Sequence, residues 1–238
     1  MLQVARFVFN PFRENTYVVW DSTGEGIVVD PGNNYPKEHN ALADFIDSNN
    51  IHLRAVAATH GHYDHVCGAG FLKERYGVPF ALCSTDEYVY CTSAFDGSRY
   101  QFDFEQVPYE IDLAGGEPLR FGETELKPLP TPGHTLGGVS LYSAAAKVIF
   151  TGDTIMCGTV GRTDLKGSDH PTLMRSIISQ ILPLPDDVEI YPGHGPQTIL
   201  GSEKANNPSC NESRHSHHQP GSGGSDCRLL RCVSTDCA

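Results

Sequence analysis

The sequence His60-Gly61-His62-Tyr63-Asp64-His65 places four potential metal ligands within six positions. Three are imidazoles and one is a carboxylate, a combination that suits zinc, with iron or manganese as alternatives. A single histidine is usually a surface residue or a hydrogen-bonded core residue, but chance rarely produces this density of ligand groups. The apolar run at residues 55–59 leads directly into the cluster and is typical of a buried strand. We therefore predict a metal site at the end of that strand.

Three later segments repeat this design: an apolar, strand-like run ends beside a glycine and a potential ligand. Strand ends at one rim of a sheet lie close together, so we expect all four segments to surround one pocket. The glycines allow the chain to turn tightly there. The three segments are residues 125–131 before Gly133-His134, residues 148–151 before Gly152-Asp153, and residues 188–192 before Gly193-His194.

The spacing of these residues predicts two metal ions. If the strand geometry continues briefly, His60 and His62 project to the same side and share one ion. Asp64 and His65 then open the following helix and face a second ion, and Asp153 can bridge both ions through its two oxygens. The first predicted set is His60, His62, His134 and Asp153, and the second is Asp64, His65, His194 and Asp153.

The charge balance of this predicted site favours an anionic substrate. Five neutral imidazoles and two carboxylates facing two divalent ions leave a formal charge of +2, or +1 once a bridging hydroxide binds. Two adjacent metals lower the pKa of shared water towards neutrality and polarise the carbonyl that it attacks. The predicted chemistry is therefore attack by a metal-bridging hydroxide.

Composition limits the class of protein. A length of 238 residues and a hydrophobic content of 39% fit one large domain with a filled core. No apolar run reaches the roughly 18 to 20 residues that span a bilayer, and the N-terminus lacks the features of a secretory signal. A formal net charge of −12 argues against binding to nucleic-acid phosphates. We expect a cytoplasmic protein that binds neither nucleic acid nor a membrane, whose oligomeric state the sequence leaves open.

The eight cysteines include no C-x-x-C pair, so free thiols are expected in a chain without an export signal. Cys67 lies two residues after His65 and is weighed as a further metal ligand. A small buried side chain is the favoured interpretation of Cys67.

The pattern along the chain predicts an α/β fold. Strands fill the first third, a helix covers residues 36–48, and further helices are predicted at 65–76 and 171–182, with hairpins between them. Sheets packed face to face with helices outside are the expected arrangement. From Asn206 onward the composition shifts to Asn, Ser, Gly, His and Cys. We predict one catalytic domain at residues 1–208 and a disordered tail at residues 209–238.

The cluster at residues 60–65 matches the H-x-H-x-D-H motif of the metallo-β-lactamase superfamily, and the chain resembles that superfamily. Its glyoxalase II (hydroxyacylglutathione hydrolase) branch is similar around residues 131–135, 151–154 and 191–196. Residues 161–164 and 203–208 are similar to its short bacterial members, which lack the C-terminal helical domain. The resemblance covers residues 1 to about 208 and implies a four-layer αβ/βα sandwich with two metals at its rim. It also implies that Asp30 supports the metal ligands, although Asp30 alone is equally typical of a turn.

The resemblance implies hydrolysis of a thioester such as S-lactoylglutathione, an anionic small molecule. Asp64 and Asp153 are then the catalytic carboxylates, acting through the metals that they hold. A thiolate leaves without a strong general acid, so few further catalytic residues are required. Arg162 is a candidate for binding a substrate carboxylate, with an ion pair to Asp164 as the alternative, and Tyr63 either lines the pocket or packs. The lysine and tyrosine with which the family binds glutathione are replaced here by Arg162 and Asp164.

Three other functions are weighed. Persulfide dioxygenases share the fold and hold a single iron with residues that match His60, His134 and Asp153, but the Gly-His-Gly-Pro context of His194 has the hydrolase form. Lactone or β-lactam hydrolysis would use the same hydroxide chemistry. A metal-binding module without turnover is disfavoured, because every expected metal ligand is present.

Overall fold

The computed structural model describes residues 1–210, which form two mixed β-sheets packed face to face with helices on both outer surfaces. The first sheet has its strands in sequence order: β1 (Gln3–Phe9), β2 (Glu14–Trp20), β3 (Glu25–Val29), β4 (His52–Ala57), β5 (Phe80–Leu82) and β6 (Ile111–Asp112). The strands β1 to β3 pair antiparallel, whereas β3 to β6 pair parallel.

The second sheet is formed by the later part of the chain. The strands there are β7 (Leu119–Phe121), β8 (Thr124–Pro130), β9 (Val139–Ser143), β10 (Val148–Gly152), a separate hairpin of β11 (Ile155–Met156) and β12 (Thr159–Val160), and then β13 (Glu189–Pro192) and β14 (Thr198–Ile199). The order in the sheet is β14-β13-β10-β9-β8-β7. Because β9 is antiparallel to both β8 and β10, and β13 is parallel to β10, the strands β8, β10 and β13 all run in one direction.

Helices cover both outer faces, and three apolar clusters show the four-layer arrangement. The helices are α1 (Pro36–Ser48), α2 (Tyr63–Val66), α3 (Ala69–Tyr76), α4 (Glu87–Ser98), α5 (His170–Ser176), which continues into a π-helical turn (Ile177–Ile181), and α6 (Leu200–Asn206). Along β2, Val18 faces the cluster under α1 and α3, whereas Val19 faces the cluster between the sheets. A third cluster joins Ile149 of β10 to Leu173 of α5. The predicted sandwich of sheets with helices outside is confirmed.

The helix predicted at residues 65–76 is divided into α2 and α3 at Gly68. The Gly68 amide donates to the Pro31 carbonyl at 2.8 Å, which ties this point to the segment after β3. A Cβ at Gly68 would lie only 1.9 Å from Asn33 Oδ1, so no other residue fits this close approach. The strands β6, β11, β12 and β14 were not predicted from the sequence, because two-residue strands are too short to show a period. The seven-residue helix α6 was not predicted either.

The C-terminal prediction falls mostly outside the described residues. Of the predicted tail, only Ser209 and Cys210 are described, and Cys210 is buried in the third apolar cluster. Within residues 1–210 there is no helix long and apolar enough to span a membrane. The domain boundary and the cytoplasmic location stay predictions.

Candidate metal centre

The loop after β4 carries the histidine cluster. The strand ends at Ala57, residues 58–62 form the loop, and α2 begins at Tyr63, so that His60 and His62 lie in the loop and Asp64 and His65 in the helix. Asp86 holds this loop, since its carboxylate accepts a hydrogen bond from the Gly61 amide at 2.6 Å. This places four ligand-type side chains at the carboxyl end of a buried strand.

The first set of donors comes together around His134, which follows β8. The Nε2 atom of His134 lies 3.0 Å from His62 Nδ1 and 3.5 Å from Asp153 Oδ2. The donor atoms of His60, His62 and His134 lie within 4.8 Å of one another. This spacing allows the three imidazoles to hold one ion.

The second set comes together around His194, which follows β13. Its Nε2 lies 3.3 Å from His65 Nε2 and 3.3 Å from Asp64 Oδ2. Asp153 lies between the two sets, since its Oδ2 is 3.5 Å from His134 Nε2 and 3.7 Å from His194 Nε2, while its Oδ1 is 3.8 Å from His65 Nε2. All seven residues predicted as ligands are thus brought to one place. His60, which the spacing assigned to the first set, also lies close enough to His65 and Asp153 to form a third possible donor group.

Unpaired polar atoms show that this cluster fits metal ions. His60 Nε2 and Asp153 Oδ1 are buried, yet neither has a hydrogen-bond partner among the described residues. A buried acceptor without a partner costs about 1–3 kcal/mol, so an empty arrangement of this kind would be unfavourable. Divalent cations between these donors would satisfy both atoms. Imidazole nitrogens with carboxylate oxygens suit zinc, iron and manganese alike.

Asp30 and Thr59 set the protonation of two of the histidines. Asp30 accepts the Thr59 amide at 2.6 Å and its hydroxyl at 2.8 Å, and it lies 3.1 Å from His65 Nδ1. The Thr59 hydroxyl donates its proton to Asp30. Its oxygen can therefore only accept from His60 Nδ1, which lies 3.0 Å away. Both rings then carry their proton on Nδ1 and present the Nε2 lone pair to the site, as coordination requires. Asp30 therefore contacts a ligand directly, in addition to its place in a turn.

The loop that carries His194 is fixed from the opposite sheet. Asn15 at the start of β2 donates its amide to the Gly193 carbonyl at 2.7 Å, and its side chain donates to the carbonyls of Pro192 and Gly195, each at 2.8 Å. Gly193 itself passes so close that a Cβ there would lie 2.4 Å from Asp153 Oδ1. These contacts hold His194 against the ligands from the first half of the chain.

Asp86 connects two ligand loops and was not predicted from the sequence. Besides the Gly61 amide, its fully buried carboxylate accepts the Gly137 amide at 2.9 Å, close to His134. Burial raises the pKa of Asp86, although these hydrogen bonds oppose the shift. The partners lie 25 and 51 residues away along the chain, so no local pattern marks this role.

The histidines differ in their affinity for protons. Burial lowers the pKa of His62 to about 3, with His134 adding to the effect, and burial also holds the pKa of His60 well below its ordinary value. Burial acts in the same direction on His65, but the charges of Asp64 and Asp30 outweigh it and raise the pKa of His65. His60 and His62 are therefore neutral at neutral pH, in the form that binds metals.

An aromatic pocket with a volume of about 380 Å³ opens beside His62. We define it by the rings of Tyr63, Tyr88 and Tyr100 together with the cations Arg99, Arg162 and Lys166, all of which line it. Tyr63 stacks on Tyr100 with 5.8 Å between ring centroids, so it both packs and lines the pocket.

Arg162 has two different roles in the structure. Its guanidinium binds Asp164 through two hydrogen bonds of 2.7 and 2.8 Å, which is the ion pair considered as the alternative to substrate binding. This guanidinium holds the pKa of Asp164 at about 2. Its backbone carbonyl accepts from His134 Nδ1 at 2.8 Å and so orients a ligand. Arg99, Lys166 and Tyr88 were not predicted from the sequence as pocket residues.

Cys67 lies outside the donor sets. It is buried, and its Sγ lies 4.0 Å from the Pro31 carbonyl oxygen. None of the potential metal-binding groups among residues 1–210 includes it. Burial raises the pKa of the Cys67 thiol well above its ordinary value, which suits the small buried side chain that the sequence favoured.

The fold is a four-layer sandwich, and two adjacent sets of imidazoles and carboxylates lie at the rim of its sheets. This combination defines a class of proteins whose site fits a pair of metal ions. Residues 9–194 match the family model of the metallo-β-lactamase superfamily, and the chain belongs to that superfamily. The family and fold predicted from the sequence are confirmed.

Three similar proteins extend this result. The hydroxyacylglutathione hydrolase GloC of Haemophilus influenzae is 32% identical over 216 residues, covering 84% of this chain and 94% of that protein. The solved structure of TTHA1623 in a di-iron-bound form is 31% identical with a TM-score of 0.76, and the match covers 86% of this chain and 99% of that one. The B3 metallo-β-lactamase BLEG-1 is 29% identical with a TM-score of 0.78, over 88% of this chain and 99% of that one. The chain is therefore similar to a glyoxalase II-like short form.

Proposed function

We propose that this protein is a dinuclear metal-dependent hydrolase that cleaves an anionic acyl thioester such as S-lactoylglutathione. The observation that carries the proposal is the position of Asp153, whose carboxylate lies between the two histidine sets, within 4.0 Å of His134, His65 and His194, beside a pocket lined with cations. The similarity to a hydroxyacylglutathione hydrolase over most of both chains supports the choice of substrate.

The ligand residues would hold the two ions as predicted. His60, His62 and His134 would bind the first ion, Asp64, His65 and His194 the second, and Asp153 both. When bound, such ions supply Lewis acidity and lower the pKa of water towards neutrality. The metal identity is left open by this donor set, with zinc the first candidate.

The surrounding residues would orient the substrate. Tyr63 and Tyr100 form an apolar wall beside His62. Arg99 lies over the Phe95 ring at 5.0 Å, and the Lys166 ammonium lies 4.5 Å from the centroid of Tyr88, so both cations are held at the pocket edge. These cations would add to the positive potential beside the ligand cluster and attract an anionic substrate towards it.

The choice of a thioester follows from the chemistry of the leaving group. A thiolate needs no strong acid to leave, and Arg162, whose backbone carbonyl accepts from His134, has its guanidinium already paired with Asp164. No further acid is then needed, and the residues around the donor sets have only to bind and orient the substrate.

The experiment is a measurement of metal content together with hydrolysis. Protein purified with zinc, iron or manganese should contain two ions per chain and release glutathione from S-lactoylglutathione. Asp153→Asn should lose most of this activity, whereas Lys127→Gln, on the exposed face of β8, should keep it. A lactone and a β-lactam serve as competing substrates. One iron per chain with sulfide-dependent oxygen uptake would instead identify a persulfide dioxygenase and refute the hydrolase assignment.

A further inference from the structure

A second groove, with a volume of about 420 Å³, opens on the other side of the metal centre. We define this arginine groove by Arg6 and Arg13 together with the His194 loop, which forms its inner wall. Phe12 lines both this groove and the aromatic pocket and so separates them. The aromatic pocket reaches His62 of the first donor set, whereas the arginine groove reaches His194 of the second.

Neither arginine of this groove has a carboxylate partner among residues 1–210. Eight of the fourteen lysines and arginines in residues 1–210 form ion pairs within 4.0 Å. Of the six without one, two lie in the arginine groove and two in the aromatic pocket, although the whole chain carries a net charge of −12. The six are Arg6, Arg13, Lys37, Arg99, Lys127 and Lys166. The unpaired positive charge of the described residues is thus concentrated on both sides of the metal centre.

A hydrogen bond holds the side chain of Arg6, and a turn fixes the backbone of Arg13. Arg6 donates from its guanidinium to the Gly195 carbonyl at 3.1 Å, next to His194. Arg13 lies in the turn between β1 and β2 with a φ of 57°, and its amide donates to the Asn10 carbonyl at 3.1 Å. A non-glycine residue in this left-handed conformation carries a cost of about 1–3 kcal/mol, and such positions concentrate at binding sites. None of the residues that line the groove is acidic.

We propose that the arginine groove is a second anion subsite, which binds a carboxylate or phosphate of the substrate's thiol portion while its acyl portion lies in the aromatic pocket. Guanidinium groups recognise both anions with paired hydrogen bonds. A substrate bound in this way crosses the donor sets from His62 to His194, which places the scissile bond between them. This inference rests on the proposed thioester hydrolysis and adds the residues that bind the anionic groups of the thiol portion.

The test compares two thioesters that differ in the charge of the thiol. S-lactoylglutathione carries carboxylates on its thiol portion, and S-lactoyl-N-acetylcysteamine carries none. For Arg13→Gln we expect kcat/KM for S-lactoylglutathione to fall about tenfold through KM, the effect of losing roughly one exposed charged hydrogen bond. The same variant should hydrolyse the uncharged thioester at the wild-type rate. Lys127→Gln is the matched control, because it removes an unpaired charge far from both grooves.

Binding of S-methylglutathione, measured by calorimetry on the metal-loaded protein, separates this subsite from the proposed reaction. It has no scissile bond, and its Kd should rise about tenfold in Arg13→Gln and stay unchanged in Lys127→Gln. Equal binding and equal kcat/KM in the two variants would overturn the subsite while leaving thioester hydrolysis in place. A wild-type protein that hydrolyses no thioester but binds S-methylglutathione through Arg13 would retain the subsite and refute the proposed function. Failure of the wild-type protein to bind this probe would also overturn the subsite.

Discussion

Replacing Asp30 by asparagine should weaken one metal site selectively. The side chain keeps its size, and asparagine tolerates the φ of 51° at this position as well as aspartate does. The native Oδ2 accepts from the Thr59 hydroxyl at 2.8 Å and lies 3.1 Å from His65 Nδ1. In Asp30→Asn, the remaining oxygen can keep the Thr59 amide, and an NH₂ group then faces His65. Since that group can only donate, the His65 proton is driven from Nδ1 to Nε2, the nitrogen that faces the site.

The magnitude follows from what the change removes. Losing the partner that orients a metal-bound histidine typically costs 10- to 100-fold in metal affinity, or about 1.4 to 2.7 kcal/mol. The loss should fall on the set of Asp64, His65 and His194, because the His134 and His62 contacts do not involve Asp30. The Thr59 hydroxyl also loses an acceptor, so a smaller weakening at His60 is expected.

The assay is competition with a chelator, followed by measurement of the metal bound per chain. At a chelator concentration where the wild-type protein keeps two ions, Asp30→Asn should keep one. Asp44→Asn on the exposed face of α1 makes the same charge change and should behave like the wild type. If Asp30→Asn retained two ions with wild-type affinity, the assignment of proton positions around Thr59 and His65 would be wrong.

Three further outcomes are expected. Asp86→Asn should lower the free energy of unfolding by about 1–3 kcal/mol in urea titrations, because an NH₂ group would then face the Gly61 or Gly137 amide inside the protein. An unchanged urea midpoint would show that the hydrogen bonds of Asp86 to the two loops do not stabilise the fold. Asn15→Ala should lower the free energy of unfolding by a similar amount and raise the Kd of the ion held by Asp64, His65 and His194, since the His194 loop loses two hydrogen bonds of 2.8 Å. Calorimetric metal titration checks this, and Kd values equal to those of the wild type would contradict it. Removal of both metals should lower the melting temperature measured by calorimetry, because a ligand at about 1,000 times its Kd stabilises the folded state by roughly 4 kcal/mol. If a chelator left the melting temperature unchanged, the donor sets would bind no ion in the folded protein.

The ligand cluster could be predicted because its residues are chemically distinctive and lie directly after strands. Each of His134, Asp153 and His194 follows an apolar run, and the strands β8, β10 and β13 run in one direction, so their carboxyl ends share one rim. The alternation of Val18 and Val19 between two clusters likewise follows from strand geometry. Local chemistry and the period of the strands were sufficient for these features.

The supporting residues could not be predicted, because their roles depend on distant partners. Asn15 acts on carbonyls 177 and 180 residues away, and its sequence context reads only as part of a strand. Arg13 and Arg99 are exposed cations among seventeen in the chain, and only the folded structure shows which of them lack a carboxylate partner beside the metal centre. The break between α2 and α3 depends on the packing of Gly68 against Asn33, a contact across two elements.

The division of the ligands between the two halves of the chain has a consequence for biosynthesis. During translation the cluster from His60 to His65 emerges first, with none of its partners from the second sheet. The set of His60, His62 and His134 is complete once residue 134 has been synthesised. Asp153 follows, and the last donor, His194, is added only 41 residues later. The metal-binding groups of this protein are therefore synthesised in stages. Binding of ions by both donor sets would therefore follow the docking of the two sheets.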